Sequence, residues 1–572
     1  MTVAFAVLVS LFVSFTLDPM LSSHWHDPAI ASKGQRRGLA RLLERFNAGF
    51  ERTAGGYGRI IGWALDHRKT VVAVATAAFV GGLAMFVSLE SSFFPKSDNG
   101  EFRVSFKTSP DASLGESRNR LADMIGAIRD IPEVGHTYAS IGAGDEGSVR
   151  SGYLYVKLKP RKERKRSQQD VQQEFRHRLA RIPGVITSLE EVDNLTGNQK
   201  PLIANIRGAD MTLLKTYASR LRDEMDRTRG IKDVEVSLEH DIPEYRLTVD
   251  RERAQSAGLM TDAIVRNIGA LVGGEIVSTY EDEDGDAVDV RVRLPEALRE
   301  SPEQIKHLEI PVIGGKGAPV VLPLANFISY DAHATPLEIN RQDLIRQVSI
   351  SANLDDLALS AAIEQVQKAA GKMNMEPGYS VVFTGESADM DESFAYIAEA
   401  LILAVLFVYF ILAAQFESFV DPLAIILSLP LSIIGMAGML YLTGDTLNIM
   451  SLIGLIMLMG LVTKNAILLV DCAKTLRQEG RDRREAVISA GRMRLRPIIM
   501  TTLAMIFGML PLALALGAGA EMRAPMARGV IGGLLTSTLL TLIVVPVAYT
   551  LLDDLRRRKG GRFLLRHYRA TR

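Results

Sequence analysis

Long apolar runs alternate along this chain with a block of short segments whose hydrophobic period is two. A helix needs roughly 20 apolar residues to cross a hydrocarbon core ~30 Å thick. Seven runs of about that length occur, near 2 to 20, 70 to 89, 394 to 414, 422 to 442, 447 to 472, 497 to 518 and 526 to 551. The last five follow one another with only short polar connections, which predicts a membrane bundle. Between the second and third runs the pattern changes. The strands FRVSFKT (102 to 108), GYLYVKL (152 to 158), PLIANIR (201 to 207) and RQVSISA (346 to 352) each open a unit of strand, amphipathic helix, turn and second strand. The helices of these units fall near 113 to 130, 168 to 182, 211 to 228 and 354 to 373. Two β-α-β units make one split sandwich, so four units predict two ferredoxin-like subdomains. Roughly 90 residues separate the third unit from the fourth, too many for a connecting loop, and predict an inserted subdomain. It holds a helix near 251 to 270, the acidic turn EDEDGD (281 to 286) and the strands AVDVRVRL and APVVLPL. The acidic turn lacks the position-12 glutamate of an EF-hand loop and reads as a solvated hairpin tip.

Composition agrees with this division. The chain is 47% hydrophobic, 23% charged and slightly positive in mean hydropathy, +0.12, too charged for a pure membrane bundle. Net charge is zero, which gives no electrostatic case for nucleic acid. Basic residues concentrate in three places: between Lys33 and Lys69, between Lys474 and Arg496, and from Arg556 to Lys559. Counting crossings puts all three on one face, the cytoplasmic one, and residues 91–393 on the other. The stretch 36 to 62 alternates Leu, Phe and Ile with Arg at helical spacing and predicts an interfacial helix on the inner leaflet. Cys472 is the single cysteine, so neither an internal disulfide nor a cysteine zinc cluster is available. No cleavable secretory signal is visible.

Chemistry concentrates on Lys464, inside SLIGLIMLMGLVTKNAILLVDCAK. A charge at mid-membrane depth costs roughly 2.5–3.5 kcal/mol on insertion scales and calls for a partner. No carboxylate of the seven runs stands at matching depth: Glu399 lies near the outer face, Asp18, Asp421 and Asp471 near helix ends, and Asp471 within reach of Lys474 instead. The partner is therefore expected outside this chain. Asn465, Thr463, Thr501 and Thr502 are the other polar groups, with Thr463 and Thr502 expected to bond neighbouring backbone carbonyls. Arg494 and Arg496 open the sixth run at its cytoplasmic end, where the residues alone leave a functional role and a plain positive-inside anchor equally open for each. No GxxxxGK[ST], HExxH or GxSxG motif occurs, so ATP hydrolysis, protease and esterase chemistry are not expected. His24-Trp25-His26-Asp27 has no further ligands nearby and is not taken as a metal site.

With Lys464 placed, GLVTKNAILLVDCAK, RMRLRPIIMTTLAMIFGMLPLAL (492 to 514), FILAAQFESFVDPLAIILSLPLSIIG (410 to 435) and FFPKSDNGEF (93 to 102) resemble helices and a porter entry of resistance-nodulation-division (RND) efflux permeases. The resemblance covers essentially the whole chain, and the pairing of Lys-Asn with RLRP-MTT is specific. It implies a secondary active transporter of the bacterial inner membrane, without cofactor and driven by the proton gradient. In that family two homologous halves of six helices make one subunit, subunits form a homotrimer, and a periplasmic adaptor and an outer-membrane channel complete the system. The resemblance implies that Lys464 pairs with two aspartates of the fourth family helix, and that Thr501, Arg494 and Asn465 belong to the same proton relay. This chain resembles the sixth helix onward, so the N-terminal half is expected to be missing and the chain to be cut rather than naturally begun.

The resemblance also sets expected boundaries. They are a membrane helix over 1–20, a basic cytoplasmic segment with the interfacial helix over 21–69, and a helix over 70–90. A first porter subdomain then occupies 91–197 and a second 198–245 with 335–388, a docking insertion 246–334, five helices 394–552 and a basic tail 553–572. VRLPE (292 to 296) and PLEINRQ (336 to 342) are similar to the hydrophobe and amphiphile branch. Met124, Met211, Met225, Met260, Met373, Met375 and Met390 read as packing instead of a metal path. TYASIGAGDEGSVRSGYLY (137 to 155) puts Tyr138, Gly142, Gly144, Tyr153 and Tyr155 on the expected substrate path. Against antiport stand two alternatives: a non-transporting fragment acting as a binding or assembly module or a decayed gene product, and a heavy-metal exporter.

Overall fold

The computed structural model describes residues 2–24, 39–109, 111–142, 148–192, 200–238, 242–283, 285–299, 301–313, 319–335, 338–517 and 519–570. Two units form: Met1–Asn99 with Ala358–Ala361 and Ala388–Arg572, and Gly100–Leu357 with Ala362–Ser387. The chain opens with α1 (Thr2–His24), α2 (Leu39–Asp66) and α3 (Arg68–Ser88).

The sheet-bearing unit begins with β1 (Glu101–Thr108), α4 (Leu114–Ile128), β2 (Val134–Ile141), β3 (Ser151–Leu158), α5 (Gln168–Leu179) and β4 (Val185–Glu191). The antiparallel sheet runs β2-β3-β1-β4, the order that β-α-β-β-α-β connectivity produces. Strict alternation builds it: Phe102, Val104 and Phe106 of β1 are fully buried while Arg103, Ser105 and Lys107 take the opposite face. Phe102 meets Phe175 of α5 edge-on, ring centres 5.0 Å apart. A capping box starts α5, the Ser167 hydroxyl accepting from the Asp170 amide at 3.1 Å while the Ser167 amide donates to the Asp170 carboxylate.

The pattern repeats in β5 (Leu202–Gly208), α6 (Met211–Arg227) and β6 (Ile231–Val236), which are followed by an insertion. The insertion comprises β7 (Ile242–Val249), α7 (Arg251–Ser256), α8 (Thr261–Ile268), β8 (Glu275–Glu281), β9 (Ala287–Val292), α9 (Pro302–Lys306), β10 (Glu309–Ile313), β11 (Pro319–Pro323) and β12 (Ile328–Thr335). Then come β13 (Arg341–Gln342), β14 (Ile345–Leu354), α10 (Leu359–Lys372) and β15 (Ser380–Thr384). β14 pairs with β5 and β6, and β5 with β15, so the second sheet has the topology of the first with the insertion between its middle elements. The helix expected near 251 to 270 is instead two short helices and a π turn, because Gly258 at φ 74° ends the first. The acidic turn caps the β8–β9 hairpin, Asp284 lying outside the described residues.

The remaining helices are α11 (Glu386–Phe416), α12 (Asp421–Ile426), α13 (Ser428–Thr443), α14 (Ile449–Gln478), α15 (Arg483–Ala513) and α16 (Ala524–Ala570). Among the described residues, seven helical stretches are long and apolar enough to cross a membrane: Phe5–His24, Arg68–Ser88, Glu386–Phe416, Asp421–Thr443, Ile449–Gln478, Arg483–Ala513 and Glu521–Leu555. Glu386–Phe416 and Arg483–Ala513 begin well before the predicted runs at 394 and 497, since polar first turns such as Asp482-capped Arg483 continue the helix outside the apolar run. The described helix also continues past Leu552 to Ala570, where a separate tail was expected. The best buried spans are Asp421–Thr443, Ile449–Gln478 and Glu521–Leu555, whereas no described side chain of Phe5–His24 is buried. In lipid, exposed apolar helices carry no hydrophobic penalty. The face of α2 bearing Tyr57, Ile61 and Leu65 is buried, and the Tyr57 hydroxyl donates to the Leu542 carbonyl of α16 at 2.7 Å. α2 is thus an amphipathic helix packed by its apolar face on the bundle, its opposite face exposed. Residues 25–38 at its start, with Lys33, Arg36, Arg37 and the His26-Asp27 pair, lie outside the described residues.

Candidate functional site

Lys464 is half-buried on α14, and its ammonium points at the Met505 sulfur of α15, 3.2 Å away. A thioether is a weak acceptor and carries no charge. Among the described residues no carboxylate reaches Lys464. Arg494 and Thr501 precede Met505 by eleven and four residues on the same stripe of α15. Thr501 is exposed, its hydroxyl turned back to the Ile498 carbonyl at 3.1 Å, and Arg494 is half-buried with Nε unpartnered among the described residues. The adjoining stripe of α15, Leu495, Ile498 and Thr502, is buried. The structure thus brings Lys464, Arg494 and Thr501 onto neighbouring helices, with no described hydrogen bond joining them.

Asn465, the next residue, is buried in the bundle. Its amide nitrogen lies 3.4 Å from the hydroxyls of both Thr502 and Thr538, which are 3.3 Å from each other. This corrects the expectation for Thr502, whose hydroxyl joins side chains across three helices. Thr463 does bond backbone, the Gly460 carbonyl at 3.0 Å. Ser537 and Thr541, one turn apart on α16, are also buried, and their hydroxyls have no partner among the described residues. Leu458 of α14 lies against Gly533, one turn before Ser537, so Ser537 and Thr541 fall on the α14 side. The run LLTSTLLT carried this signal, since four hydroxyls within six residues are unusual in an apolar helix.

At the basic ends, Asp553 and Asp554 of α16 collect Arg477, Arg483 and Arg68, with contacts of 3.5, 3.0 and 2.7 Å, tying together α3, α14, α15 and α16. The basic tail had hidden these two acids. Lys474 does not pair with Asp471; it donates to the Phe416 carbonyl at 2.7 Å, closing the end of α11. Arg496 donates to Asn47 and lies over the Phe50 ring, anchoring α2.

In the sheet-bearing unit Tyr138, Tyr153 and Tyr155 share the outward face of β2 and β3, with the Tyr138 and Tyr153 rings 6.3 Å apart. The Tyr155 hydroxyl donates to Glu101 at 2.7 Å, and Gly142, at φ 74°, ends β2. Gly144 lies outside the described residues. Beside Tyr153 a cleft opens between β1, β4 and β6, lined by Arg103, Ser105, Lys107, Ser188, Lys200 and Glu235. Lys107 and Lys200 grip Glu235 at 2.8 and 2.9 Å. Burial alone would raise the Glu235 carboxyl, but the pull of Lys200 and Lys107 prevails and leaves it at about 2. Asp233, two residues earlier and at φ 52°, accepts from Arg176 of α5 and Asn353 of β14 at 3.0 and 2.8 Å. These charges line the β6 joint between the two sheets. A carboxyl depressed in the fold stabilises it above the ordinary value of 4.5 and ceases to do so as pH falls through about 2. Acid unfolding of the purified chain, followed by circular dichroism, should therefore include a loss between those values. Glu235→Gln should remove that component and cost about 2 kcal/mol at neutral pH by stranding Lys200.

Seven membrane-length helices with ionisable and hydroxyl groups inside them, interrupted by two matching β-α-β-β-α-β sheets, define a polytopic membrane protein. The chain belongs to the AcrB/AcrD/AcrF family of RND efflux permeases, whose profile matches residues 1–553. These are transporters, not enzymes. It is 30% identical over 568 residues to multidrug resistance protein MdtC of Pantoea ananatis (strain AJ13355), covering 98% of this chain and 54% of that protein. MdtC of Escherichia coli O81 (strain ED1a) is 30% identical over 567 residues. A crystal structure of a heavy metal efflux pump superposes with a TM-score of 0.77 at 26% identity, over 88% of this chain and 52% of that one. The chain spans about half the length of the relatives it matches.

Proposed function

We propose that this chain is the C-terminal half of a proton/substrate antiporter of the bacterial inner membrane, with residues 91–393 in the periplasm. The observation that carries this reading is Lys464, a half-buried cation in an apolar bundle whose described polar contact is a sulfur. Its counter-charge would come from carboxylates on helices of a complementary N-terminal half, packed over the stripe of Arg494, Thr501 and Met505. Protonation of those carboxylates would release Lys464, and Thr501, Arg494 and Asn465 would relay the change. Two ferredoxin-like porter subdomains, with the docking insertion between the elements of the second, would move substrate. The β8–β9 hairpin, exposing Val277, Tyr280, Val288 and Val290, suits contact with another subunit or with an adaptor of the homotrimer and its outer-membrane channel.

Amphiphilic substrates are favoured over metal ions. Tyr138 and Tyr153 offer aromatic faces beside the charged cleft, while Met124, Met225 and Met390 are buried as packing and Met260, expected to pack, is exposed instead. Structural similarity to a heavy metal efflux pump keeps metal export as the second reading. The test is co-expression with an N-terminal half that carries two adjacent membrane aspartates. Cells should expel an amphiphilic dye, and an uncoupler should stop them. Dye retention with both halves present in the membrane would sink antiport and favour a binding or assembly role; expulsion of copper or silver salts alone would favour the metal reading.

A further inference from the structure

The outward face of α2 is where the bundle leaves chemistry unused. Gly56, Arg59, Ile60 and Trp63, one turn apart, line a shallow depression there. A Cβ at Gly56 would touch nothing within 4 Å, so its absence opens the floor of the depression. Arg59 is exposed and has no described partner, so its guanidinium is available. Trp63 is 52% exposed and braced by His67, the rings stacked 5.0 Å apart. Its indole N–H also lacks a described partner. Arg68, five residues beyond Trp63, begins the span Arg68–Ser88. That fixes Trp63 and Arg59 at the depth where hydrocarbon gives way to headgroups, the depth that indoles prefer.

We infer that Gly56, Arg59, Ile60 and Trp63 form a binding site for the headgroup of an anionic phospholipid. A guanidinium matches a phosphate with paired hydrogen bonds, Ile60 lies beside the first acyl carbons, and the indole lies between with its N–H toward the ester region. The other side of the helix is occupied by packing on α15, where an added Cβ on Gly58 would meet Arg492 at 3.0 Å. A protein partner would leave Trp63 and Ile60 without the lipid they abut. The site rests on the membrane placement of the chain and not on transport.

The chain has two tryptophans, Trp25 and Trp63, so Trp25→Phe makes Trp63 the sole emitter. The full chain carrying that change would be reconstituted in phosphatidylcholine bilayers with a minor fraction of brominated phosphatidylglycerol or brominated phosphatidylcholine. Brominated phosphatidylglycerol should quench Trp63 with about fivefold higher apparent affinity. Arg59→Ala should erase that preference. Arg52→Ala, exposed on the same helix but outside the depression, should keep it, and added inorganic phosphate should not displace the lipid. Equal quenching by both lipids, an equal loss in Arg52→Ala, or displacement by free phosphate would each overturn the site. No quenching by either lipid would overturn the membrane placement with it, which separates the two failures.

Discussion

Lys464→Met should abolish efflux in cells that supply both halves, while leaving the isolated chain as stable as before or more so. The two effects have one origin. A lysine inside the membrane is stabilised by its counter-charge and penalised by burial, roughly 2.5–3.5 kcal/mol at full depth. In this chain the ammonium meets only the Met505 sulfur among the described residues, so the penalty stands uncompensated, reduced by partial exposure. Methionine keeps the length of the side chain and removes the charge, so melting in detergent should move upward or stay. Transport should fall to the level of cells lacking the chain, because no group remains for the proton-accepting carboxylates to release. A variant that still pumps would eliminate Lys464 from the proton relay. One that melts much lower would show that the lysine already has a partner within the chain.

Gly435→Ala should prevent α13 and α16 from docking. These helices touch backbone to backbone: a Cβ on Gly435 would lie 1.9 Å from the Thr536 hydroxyl and 2.2 Å from the Gly532 carbonyl, and one on Gly532 would lie 2.3 Å from the Gly435 carbonyl. Real Cβ atoms do not approach so closely, and backbone on both sides cannot swing away. The expected cost is about 3 kcal/mol or more, from overpacking at the best buried pair of spans. Folded yield in the membrane and resistance to protease should drop sharply. Gly438→Ala, three residues on, is the control, since its Cβ would meet only the Met85 sulfur at 3.9 Å. Equal behaviour of the two variants would remove the close approach as a determinant of the bundle.

Signals carried by a single stretch of chain were legible in the sequence. Apolar length marks a span wherever it is packed, and alternation in FRVSFKT separates Phe102, Val104 and Phe106 from Arg103, Ser105 and Lys107 before any partner strand is known. Lys464 was conspicuous for the same local reason. Pairings were not legible. Asn465 is 73 residues from Thr538, and nothing in either neighbourhood says they meet. Lys200, Lys107 and Glu235 come from three separate segments, and Asp553 and Asp554 are followed by arginines that obscure them. Thr502 was assigned a backbone bond because that is what an isolated helix offers a hydroxyl; packing offered Asn465 and Thr538 instead.

The sequence by itself therefore determined the membrane spans, the repeated strand-helix units and the presence of one costly intramembrane charge, since each follows from transfer free energy or backbone period within one segment. Only the tertiary structure decided which polar groups meet, which stripe of α15 is buried and which bears Arg494 and Thr501, and that α2 turns Tyr57 and Ile61 inward while Arg59 and Trp63 remain exposed. Those outcomes depend on the rotation and close approach of helices distant in sequence, which the backbone contact of Gly435 and Gly532 helps to set.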